Sequence, residues 1–497
     1  MFLGIDCGTQ GTKALLVDKE GRSLGRGYFK HPLIERESGA REQEPQWWID
    51  ALKHSVLQAL DGSQDVPVVA IGVSGQQHGL VVLDEEFRVI RPAKLWNDTE
   101  TAEENSALVE MLGGAAACIE RFGIVPLTGY TASKLLWIQR REPANFERIR
   151  HILLPHEYLN FWLTGNMFAE YGDASGTGYF DVRRREWAAE VLEKIDGGSH
   201  KLEKCLPAFK LPQESVGNLR REVAEELNLP ANCVVAVGGG DNMMAAIGTG
   251  NVEQGRVTMS LGTSSTVYSF SSQPVIDNSG VIAPFCSSSG GWLPLVCTMN
   301  ATNVVTQTLN LLGKEVSDIE AALRFTEPGA AGMVVLPFLN GERTPDLPRA
   351  RGVVAGISST NFNSFNFIRA VIEGVSFGLL RGLDRILQGR TATVISLTGG
   401  GARSPQWRQL LADASGAVIE VPEEEEAGCL GAAIQAMYCD SHARGDHATF
   451  STLTHRCVKF QTDSTTNPRP ELRDAYGSAL AKYVELLRRE YPQSMQE

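Results

Sequence analysis

Residues 2–17 read Phe2-Leu-Gly-Ile-Asp-Cys-Gly-Thr-Gln-Gly-Thr-Lys-Ala-Leu-Leu-Val17, and this stretch decides the fold. Two β-rich runs flank the turn Gly8-Thr-Gln-Gly11, a pattern that predicts a β-hairpin with a glycine turn. A second turn at Lys19-Glu-Gly-Arg22 and an extended run from Ser23 to Phe29 add a third strand. The sequence therefore predicts an antiparallel three-stranded meander.

The segments that follow alternate between helix and strand. Apolar residues recur at helical spacing from Trp47 to Leu60, after a proline at position 45. Residues 67–75 and 80–84 are apolar runs of strand length. Because such strands bury their faces under helices, we expect an α/β domain.

The pattern of the first glycine turn occurs again in the middle of the chain. Ser260-Leu-Gly-Thr-Ser-Ser-Thr266 shares the spacing G-T-x-x-T with Asp6-Cys-Gly-Thr-Gln-Gly-Thr12. So short a pattern also arises by chance, but each copy lies between two β-rich runs. We therefore expect two α/β domains, residues 1–247 and residues 248–497, with a cleft between them.

The composition excludes several classes of protein. Lys and Arg number 46 against 59 Asp and Glu, a net charge of −13 that opposes binding to a nucleic-acid backbone. The nine cysteines are scattered without a C-x-x-C pair, so neither a zinc site nor a disulfide framework is expected. There is no signal-peptide pattern and no apolar run of about 18 residues. We expect a cytoplasmic protein without nucleic-acid or membrane partners.

Both glycine turns are suited to bind phosphate. Glycine lets the backbone approach closely, and threonine hydroxyls and main-chain N–H groups can donate hydrogen bonds. Asp6 ends the first strand, where phosphates would repel its carboxylate unless Mg²⁺ lay between them, bound directly or through water. Lys13 could add positive charge. The alternatives are that Asp6 caps its own turn and that Lys13 is solvated.

The segment Gly238-Gly-Gly-Asp241-Asn242 is a candidate for catalysis. It follows an apolar strand and precedes a helical pattern, at the expected boundary between the domains. A carboxylate in this position would face the cleft and could act as a general base. The alternative is an ordinary glycine turn with a helix N-cap.

Four further segments are informative. Ser74-Gly-Gln-Gln-His-Gly79 carries two amides and an imidazole, which suit sugar hydroxyls. Trp96 could lie against a sugar face or belong to the core. The turn Gly399-Gly-Gly-Ala-Arg-Ser404 follows a strand and could hold adenine and ribose against its backbone, or be a plain turn. Residues 422–426 are expected to form an exposed acidic loop.

Taken in order, the motifs of this chain resemble those of the FGGY carbohydrate kinases, which share the ATPase fold of actin and hexokinase. They cover nearly the whole chain: Asp6-x-Gly-Thr-x-x-Thr-Lys13, Glu42-Gln-Glu-Pro-x-Trp-Trp48, Ser74-Gly-Gln-Gln-His-Gly79, Leu95-Trp-Asn-Asp98, Thr131-Ala-Ser-Lys-Leu-Leu-Trp137, Asp173-Ala-Ser-Gly-Thr177, Gly239-Gly-Asp-Asn242, Ser260-Leu-Gly-Thr263, Leu339-Asn-Gly-Glu-Arg-Thr-Pro345, Arg369-Ala-Val-Ile-Glu-Gly374 and Gly399-Gly-Gly-Ala-Arg403. The resemblance implies two RNase H-like domains of the actin and hexokinase type around a central cleft.

The resemblance also implies an activity and a site. The activity is ATP-dependent phosphorylation of a ketopentose, D-xylulose, at its 5-hydroxyl, with Mg²⁺ and with Asp241 as the base. Members of the family are commonly homodimers, which makes a homodimer an expectation here. The sugar would contact Gln77, His78, Asp241, Asn242 and Trp96; the phosphates and Mg²⁺ would contact Asp6, Gly8, Thr9, Gln10, Thr12, Lys13, Gly262 and Thr263; the adenosine would contact Gly400, Gly401 and Ala402.

Two other functions are consistent with these motifs. One is a kinase for D-ribulose, L-xylulose or glycerol, although the Gln-Gln-His-Gly loop favours a pentulose. Some family members that act on xylulose have methionine where this chain has Gln77, and the amide leaves the preferred epimer open. The other is an ATP-gated binding protein of the same fold, against which the Gly-Gly-Asp-Asn turn and the sugar loop both argue.

Overall fold

The structure of the chain, a computed structural model, describes residues 1–62 and 67–495. In the first half, the strands are β1 (Phe2–Cys7), β2 (Gly11–Val17), β3 (Ser23–Lys30), β4 (Ile34–Glu35), β5 (Arg41–Gln43), β6 (Ala70–Gly75), β7 (Val81–Leu83), β8 (Ala93–Lys94), β9 (His151–Leu153), β10 (Phe168–Ala169), β11 (Phe180–Asp181), β12 (Glu186–Trp187), β13 (Ala208–Phe209), β14 (Ser215–Asn218), β15 (Val234–Ala236) and β16 (Gly239–Gly240). The helices there are α1 (Pro45–Leu60), α2 (Ala102–Met111), α3 (Ala115–Phe122), α4 (Thr131–Arg141), α5 (Pro143–Arg148), α6 (Pro155–Thr164), α7 (Tyr171–Ala174), α8 (Ala189–Asp196), α9 (Arg221–Glu226) and α10 (Asp241–Gly248).

The second half continues the alternation of strands and helices. Its strands are β17 (Arg256–Leu261), β18 (Ser265–Ser269), β19 (Ala283–Cys286), β20 (Trp292–Thr298), β21 (Val334–Leu336), β22 (Val353–Ala355), β23 (Val394–Thr398) and β24 (Val418–Glu420). Its helices are α11 (Thr302–Leu312), α12 (Asp318–Arg324), α13 (Ser364–Leu387), α14 (Pro405–Ser415), α15 (Ala427–Ala443), α16 (Phe450–Cys457) and α17 (Arg473–Glu490).

The first large sheet contains the predicted meander. Its strand order is β14-β15-β6-β1-β2-β3, with β16 also paired to β6. Strands β1, β2 and β3 are antiparallel neighbours, whereas β6 is parallel to β1 and β15 is parallel to β6. The meander predicted from residues 2–29 is therefore confirmed.

The second large sheet repeats this arrangement. Its order is β19-β20-β18-β17-β23-β24, in which β17, β18 and β20 are antiparallel and β23 and β24 extend the sheet in parallel. In both sheets, a G-T-x-x-T turn joins the first two strands of the meander. The prediction of two RNase H-like α/β units is confirmed; the exact division at residue 247 stays a prediction.

Helix α15 belongs to the second half of the sequence but packs on the first sheet. A Cβ atom on Gly4 of β1 would lie only 1.8 Å from the carbonyl oxygen of Cys429. A Cβ atom on Gly431 would lie 1.8 Å from the carbonyl oxygen of Met244 in α10. Glycine at both positions therefore lets α15 contact the sheet and α10 backbone to backbone, so that α15 lies along β1 and β6 with its first turn beside Asp6.

Helices long and apolar enough to cross a bilayer are absent from residues 1–62 and 67–495.

Candidate active site

Asp6 lies at the end of β1, beside the parallel strand β6. It is in register with Ser74, whose hydroxyl donates to Asp6 Oδ1 at 2.7 Å. The start of α15 covers the carboxylate, since a Cβ atom on Gly428 would lie 3.0 Å from Asp6 Oδ2. Burial raises the pKa of Asp6, the Ser74 hydrogen bond and Lys13 oppose the rise, and the nearby Glu426 adds to it. A carboxylate whose ionised form is so disfavoured fits a cation beside it, and oxygen ligands suit Mg²⁺.

The hydroxyl of Thr9 is held by a chain of hydrogen bonds. It donates to Gln76 Oε1 at 3.0 Å and accepts from the indole N–H of Trp96 at 3.0 Å. Gln76 in turn donates to Gln43 Oε1 at 2.9 Å, deep in the first domain. The hydroxyl proton of Thr9 is therefore already donated to Gln76, which leaves the main-chain N–H of Thr9 as the donor for a ligand. The predictions for Thr9 and Trp96 did not foresee this bond between them.

An open cavity of about 1110 Å³ lies against the first hairpin. Thr12 is not part of its wall, because this side chain is fully buried within the hairpin. Glu426, which the sequence analysis had placed in an exposed loop, does line it. Of the residues predicted to bind ligands, those in the wall are Asp6, Gly8, Thr9, Gln10, Lys13 and Trp96.

The acidic loop is bound to the first meander by two ion pairs, one to β2 and one to β3. Lys13 Nζ lies 2.5 Å from Glu426 Oε2, and Arg26 makes two bonds to Glu424, at 2.8 and 2.6 Å. The prediction of an exposed loop at residues 422–426 is confirmed for Glu423 and Glu425. It is wrong for the buried Pro422 and for Glu424 and Glu426, whose side chains are 12% and 31% exposed. The partners lie about 400 positions away in sequence, so no local pattern could reveal these pairs.

Asp241 is the first residue of α10 and faces the same region as Asp6. The main-chain N–H and the side-chain amide of Asn242 donate to Asp241 Oδ1 at 2.7 and 3.0 Å. The same amide donates to Gln77 Oε1 at 3.0 Å. Burial, together with the charges of Asp6 and Asp173, raises the pKa of Asp241 to about 7. A carboxylate of that pKa is suited to accept a proton at neutral pH.

Gln77 and His78 follow the end of β6. Gln77 is 4% exposed, and its Nε2 has no hydrogen-bond partner within the described ranges. His78 adopts a positive φ of 65° and stacks on Tyr130, with ring centroids 4.5 Å apart. Its carbonyl oxygen accepts from Lys134 Nζ at 2.5 Å. Burial lowers the pKa of His78 to about 3, so its imidazole is neutral.

Lys134 and Asp173 support this region, and sequence reasoning assigned neither of them a role. Burial lowers the pKa of Lys134 to about 7, and its amine also donates to the carbonyl oxygen of Gly129 at 2.6 Å. Asp173 Oδ2 lies 2.7 Å from His156 Nδ1, with both side chains fully buried. Both residues lie within motifs that carry the family resemblance, and that resemblance was the one feature of the sequence that could have marked them as part of the site.

The turn of the second hairpin follows β17 and the glycine turn at residues 399–404 follows its parallel neighbour β23, so both turns lie at the same end of the second sheet. The carbonyl oxygen of Gly262 accepts from the main-chain N–H and the hydroxyl of Thr302, at 3.0 and 2.6 Å. Thr263 is exposed. The 3₁₀ turn Gly400–Arg403 follows β23, which is parallel to β17, and a Cβ atom on Gly401 would lie 2.8 Å from the Leu261 side chain. The structure thus places Gly262 and Thr263 beside Gly400, Gly401 and Ala402.

Comparison with known proteins decides the family. The model of the N-terminal domain of the FGGY family of carbohydrate kinases matches residues 1–248, and that of the C-terminal domain matches residues 257–439. The chain belongs to the FGGY family of carbohydrate kinases. The resemblance stated from the motifs is confirmed.

Individual relatives of this FGGY kinase are similar over most of their length. It is 44% identical over 495 residues to a xylulose kinase of Haemophilus influenzae, covering 97% of this chain and 99% of the other. A xylulose kinase of Streptomyces rubiginosus is 40% identical over 440 residues, covering 88% and 87%. The crystal structure of xylulose kinase from Bifidobacterium adolescentis superposes with a TM-score of 0.84 at 31% identity, covering 96% and 99%. The roles of individual residues in this chain remain predictions.

Proposed function

We propose that this FGGY kinase transfers the γ-phosphoryl group of ATP to the 5-hydroxyl of D-xylulose. Nearly full-length similarity to a xylulose kinase supports the substrate. The observation that best supports this chemistry is that the carboxylates of Asp6 and Asp241 lie close to each other. Asp6 of β1 and Gly239 of β16 are both in register with Ser74 of β6, Asp241 follows Gly239 by two residues, and the charge of Asp6 raises the pKa of Asp241.

Asp241 receives the proton of the sugar hydroxyl in this proposal. An alcohol is too weak an acid to ionise beforehand, so the proton moves to the carboxylate as the bond between oxygen and phosphorus forms. The bond between the γ-phosphorus and its bridging oxygen breaks in the same step, and ADP leaves. Asn242 occupies Asp241 Oδ1 with two hydrogen bonds, which directs Oδ2 toward the substrate.

Two neighbouring residues recognise the sugar. The unused Nε2 donor of Gln77 is available for a sugar hydroxyl, since its Oε1 is already held by Asn242. The neutral imidazole of His78 is fixed by its stacking on Tyr130 and by a hydrogen bond to the backbone of Gly176, which leaves one ring nitrogen for the sugar. Trp96 closes the wall of the cavity on the side of the first hairpin.

The two glycine turns hold the nucleotide. Main-chain N–H groups at Thr9 and Gln10 and at Gly262–Thr263 donate to phosphate oxygens, whereas the N–H of Gly8 closes the turn onto the carbonyl oxygen of Gly11 at 3.1 Å. Residues 400–402 lie along the adenosine. Lys13, which is paired with Glu426 in the same cavity wall, exchanges that carboxylate for a phosphate oxygen when the nucleotide binds. Mg²⁺ would be held at Asp6, directly or through water, and would neutralise charge on the phosphoryl oxygens.

A substrate panel tests the proposal. ADP release with Mg-ATP is measured against D-xylulose, D-ribulose, L-xylulose, L-ribulose and glycerol, and the product is located by ³¹P NMR. We expect kcat/KM for D-xylulose to exceed that of the other sugars at least about tenfold, with the phosphate on O5. Preference for another pentulose would overturn the substrate. Turnover that no sugar stimulates would point instead to the ATP-gated binding protein.

A further inference from the structure

The turn that precedes Asp241 has no side chains that could fix its position. Residues 238–240 are all glycine, and Gly238 adopts a positive φ of 76°. A Cβ atom on Gly238 would lie 2.4 Å from the carbonyl oxygen of Val73, so the backbone runs directly against β6. The position of Asp241 therefore depends on what is bonded to this backbone.

One side chain binds both polar groups of Gly238. Gln435 of α15 accepts from the N–H of Gly238 through Oε1 at 2.8 Å and donates from Nε2 to its carbonyl oxygen at 3.0 Å. Gln435 is completely buried. The preceding carbonyl oxygen, of Val237, accepts from Asn160 Nδ2 at 2.8 Å. The amide of Gln435 thus makes the two backbone hydrogen bonds with Gly238 that a neighbouring strand would otherwise make.

The helix that carries Gln435 also reaches the phosphate side of the site. Glu426, the residue before α15, binds Lys13, and Gly428 in its first turn covers the Asp6 carboxylate. Nine positions separate Glu426 from Gln435, which is about 14 Å of helix at 1.5 Å per residue. Helix α15 therefore contacts both the first hairpin and the turn of Asp241, in addition to the sheet in which β1 and β16 both pair with β6.

We propose that Gln435 is a positioning residue for phosphoryl transfer, holding the peptide of Gly238 so that Asp241 lies at the correct distance from the first hairpin. The inference rests on the proposed function of Asp241. Gln435 itself touches neither sugar nor nucleotide in this account. Its loss leaves a buried donor and a buried acceptor unpaired and frees the turn to shift, and a misplacement of about 1 Å can cost about 10²-fold in rate.

The variant Gln435→Met keeps the length of the side chain and removes both hydrogen bonds. We expect kcat with D-xylulose to fall about 100-fold, while KM for the sugar and Kd for ATP change by less than about threefold. A lower Tm would not show whether the fall in kcat comes from a displaced Asp241 or from general destabilisation, so a matched control is needed.

Asn361→Leu provides that control. Asn361 is also a buried amide that accepts one backbone N–H, from Ser358, and donates to two carbonyl oxygens, of Ala331 and Gly356. None of these partners lies in the Asp241 turn or in either hairpin. We expect a comparable fall in Tm with kcat within about twofold of the wild type.

The outcomes separate the two proposals. A kcat of Gln435→Met within about threefold of the control would overturn the positioning role. If Gln435→Met does not fold, Gln435→Asn keeps a buried amide that is one methylene too short to bond both groups of Gly238; a selective fall of about tenfold in kcat supports the role, and an unchanged kcat overturns it. A wild type without sugar-stimulated turnover would overturn the proposed function and this inference together, whereas an active wild type with unaffected variants overturns the inference alone.

Discussion

The two glycine hairpins share a topology but differ in chemistry. Each joins the first two strands of a meander, and each has a parallel strand beside it. At the position of Asp6 the second hairpin has Ser260, and at the position of Lys13 it has the fully buried Val267. The charged residues of the pattern are therefore confined to the first hairpin.

The surroundings of the two turns differ in the same way. The side chain of Thr9 is bonded to Gln76 and Trp96, whereas Thr263 and Ser264 are exposed. The second turn is instead anchored through its backbone, by Thr302 on the carbonyl oxygen of Gly262. Both hairpins thus have a glycine turn, but the charged side chains Asp6 and Lys13 are found only in the first.

The largest effect that this comparison predicts concerns Asp6. Asp6→Asn should lower kcat about 10²- to 10³-fold, because it removes the charge that holds the cation opposite the phosphates. Steady-state ADP release with saturating D-xylulose measures it. The matched variant at the equivalent position, Ser260→Ala, should stay within about threefold of the wild type. Equal losses in the two variants would mean that the hairpins do not differ in role.

Lys13 should give a smaller effect, on the nucleotide. Lys13→Met should raise KM for ATP about tenfold, since a hydrogen bond to a charged group is worth about 1.5–3 kcal/mol. Arg26→Met is the control, because it also breaks an ion pair to the acidic loop, with Glu424, but lies outside the predicted phosphate site. A rise in KM of similar size in Arg26→Met would assign the effect to the loop rather than to the phosphates.

The smallest expected effect concerns stability. The pKa of Asp241 is about 7 in the folded chain against an ordinary 3.8, so the folded state binds this proton more tightly than the unfolded state. Its contribution to stability is complete below pH 3.8 and is lost as the pH rises to about 7. Asparagine cannot ionise, so Asp241→Asn does not lose stability as the pH rises. Its Tm at pH 8 should exceed the wild-type value by about 2 °C. The difference, followed by calorimetry, should shrink toward pH 4. A constant or reversed difference would contradict the raised pKa.

Local sequence patterns were sufficient to predict the first meander and the hairpin that begins the second. Glycine turns between short apolar runs predicted β1, β2 and β3, and the repeat of the pattern predicted β17 and β18. The helical pattern after Gly-Gly-Asp-Asn predicted a helix from Met243, and α10 begins two residues earlier, at Asp241. These features depend on neighbouring residues, and such signals are visible in one sequence.

Contacts across the chain could not be predicted in this way. Helix α15 is rich in alanine and glycine and is buried on several faces, so it lacks the amphipathic stripe that marks a surface helix. Its contacts with Gly4 and Gly238 depend on residues that lie about 200 to 400 positions away. The bond between Thr9 and Trp96 was missed for the same reason, although both residues were already candidates.

The role of Asp241 is tested most directly by single-turnover phosphoryl transfer from ATP to D-xylulose in the wild type and in Asp241→Asn, with ATP binding measured in parallel. The account predicts a fall of about 10³-fold in the transfer rate, because the sugar hydroxyl loses its proton acceptor, while Kd for ATP changes by less than about threefold. Transfer near the wild-type rate, or a loss of ATP affinity as large as the loss of rate, would contradict it.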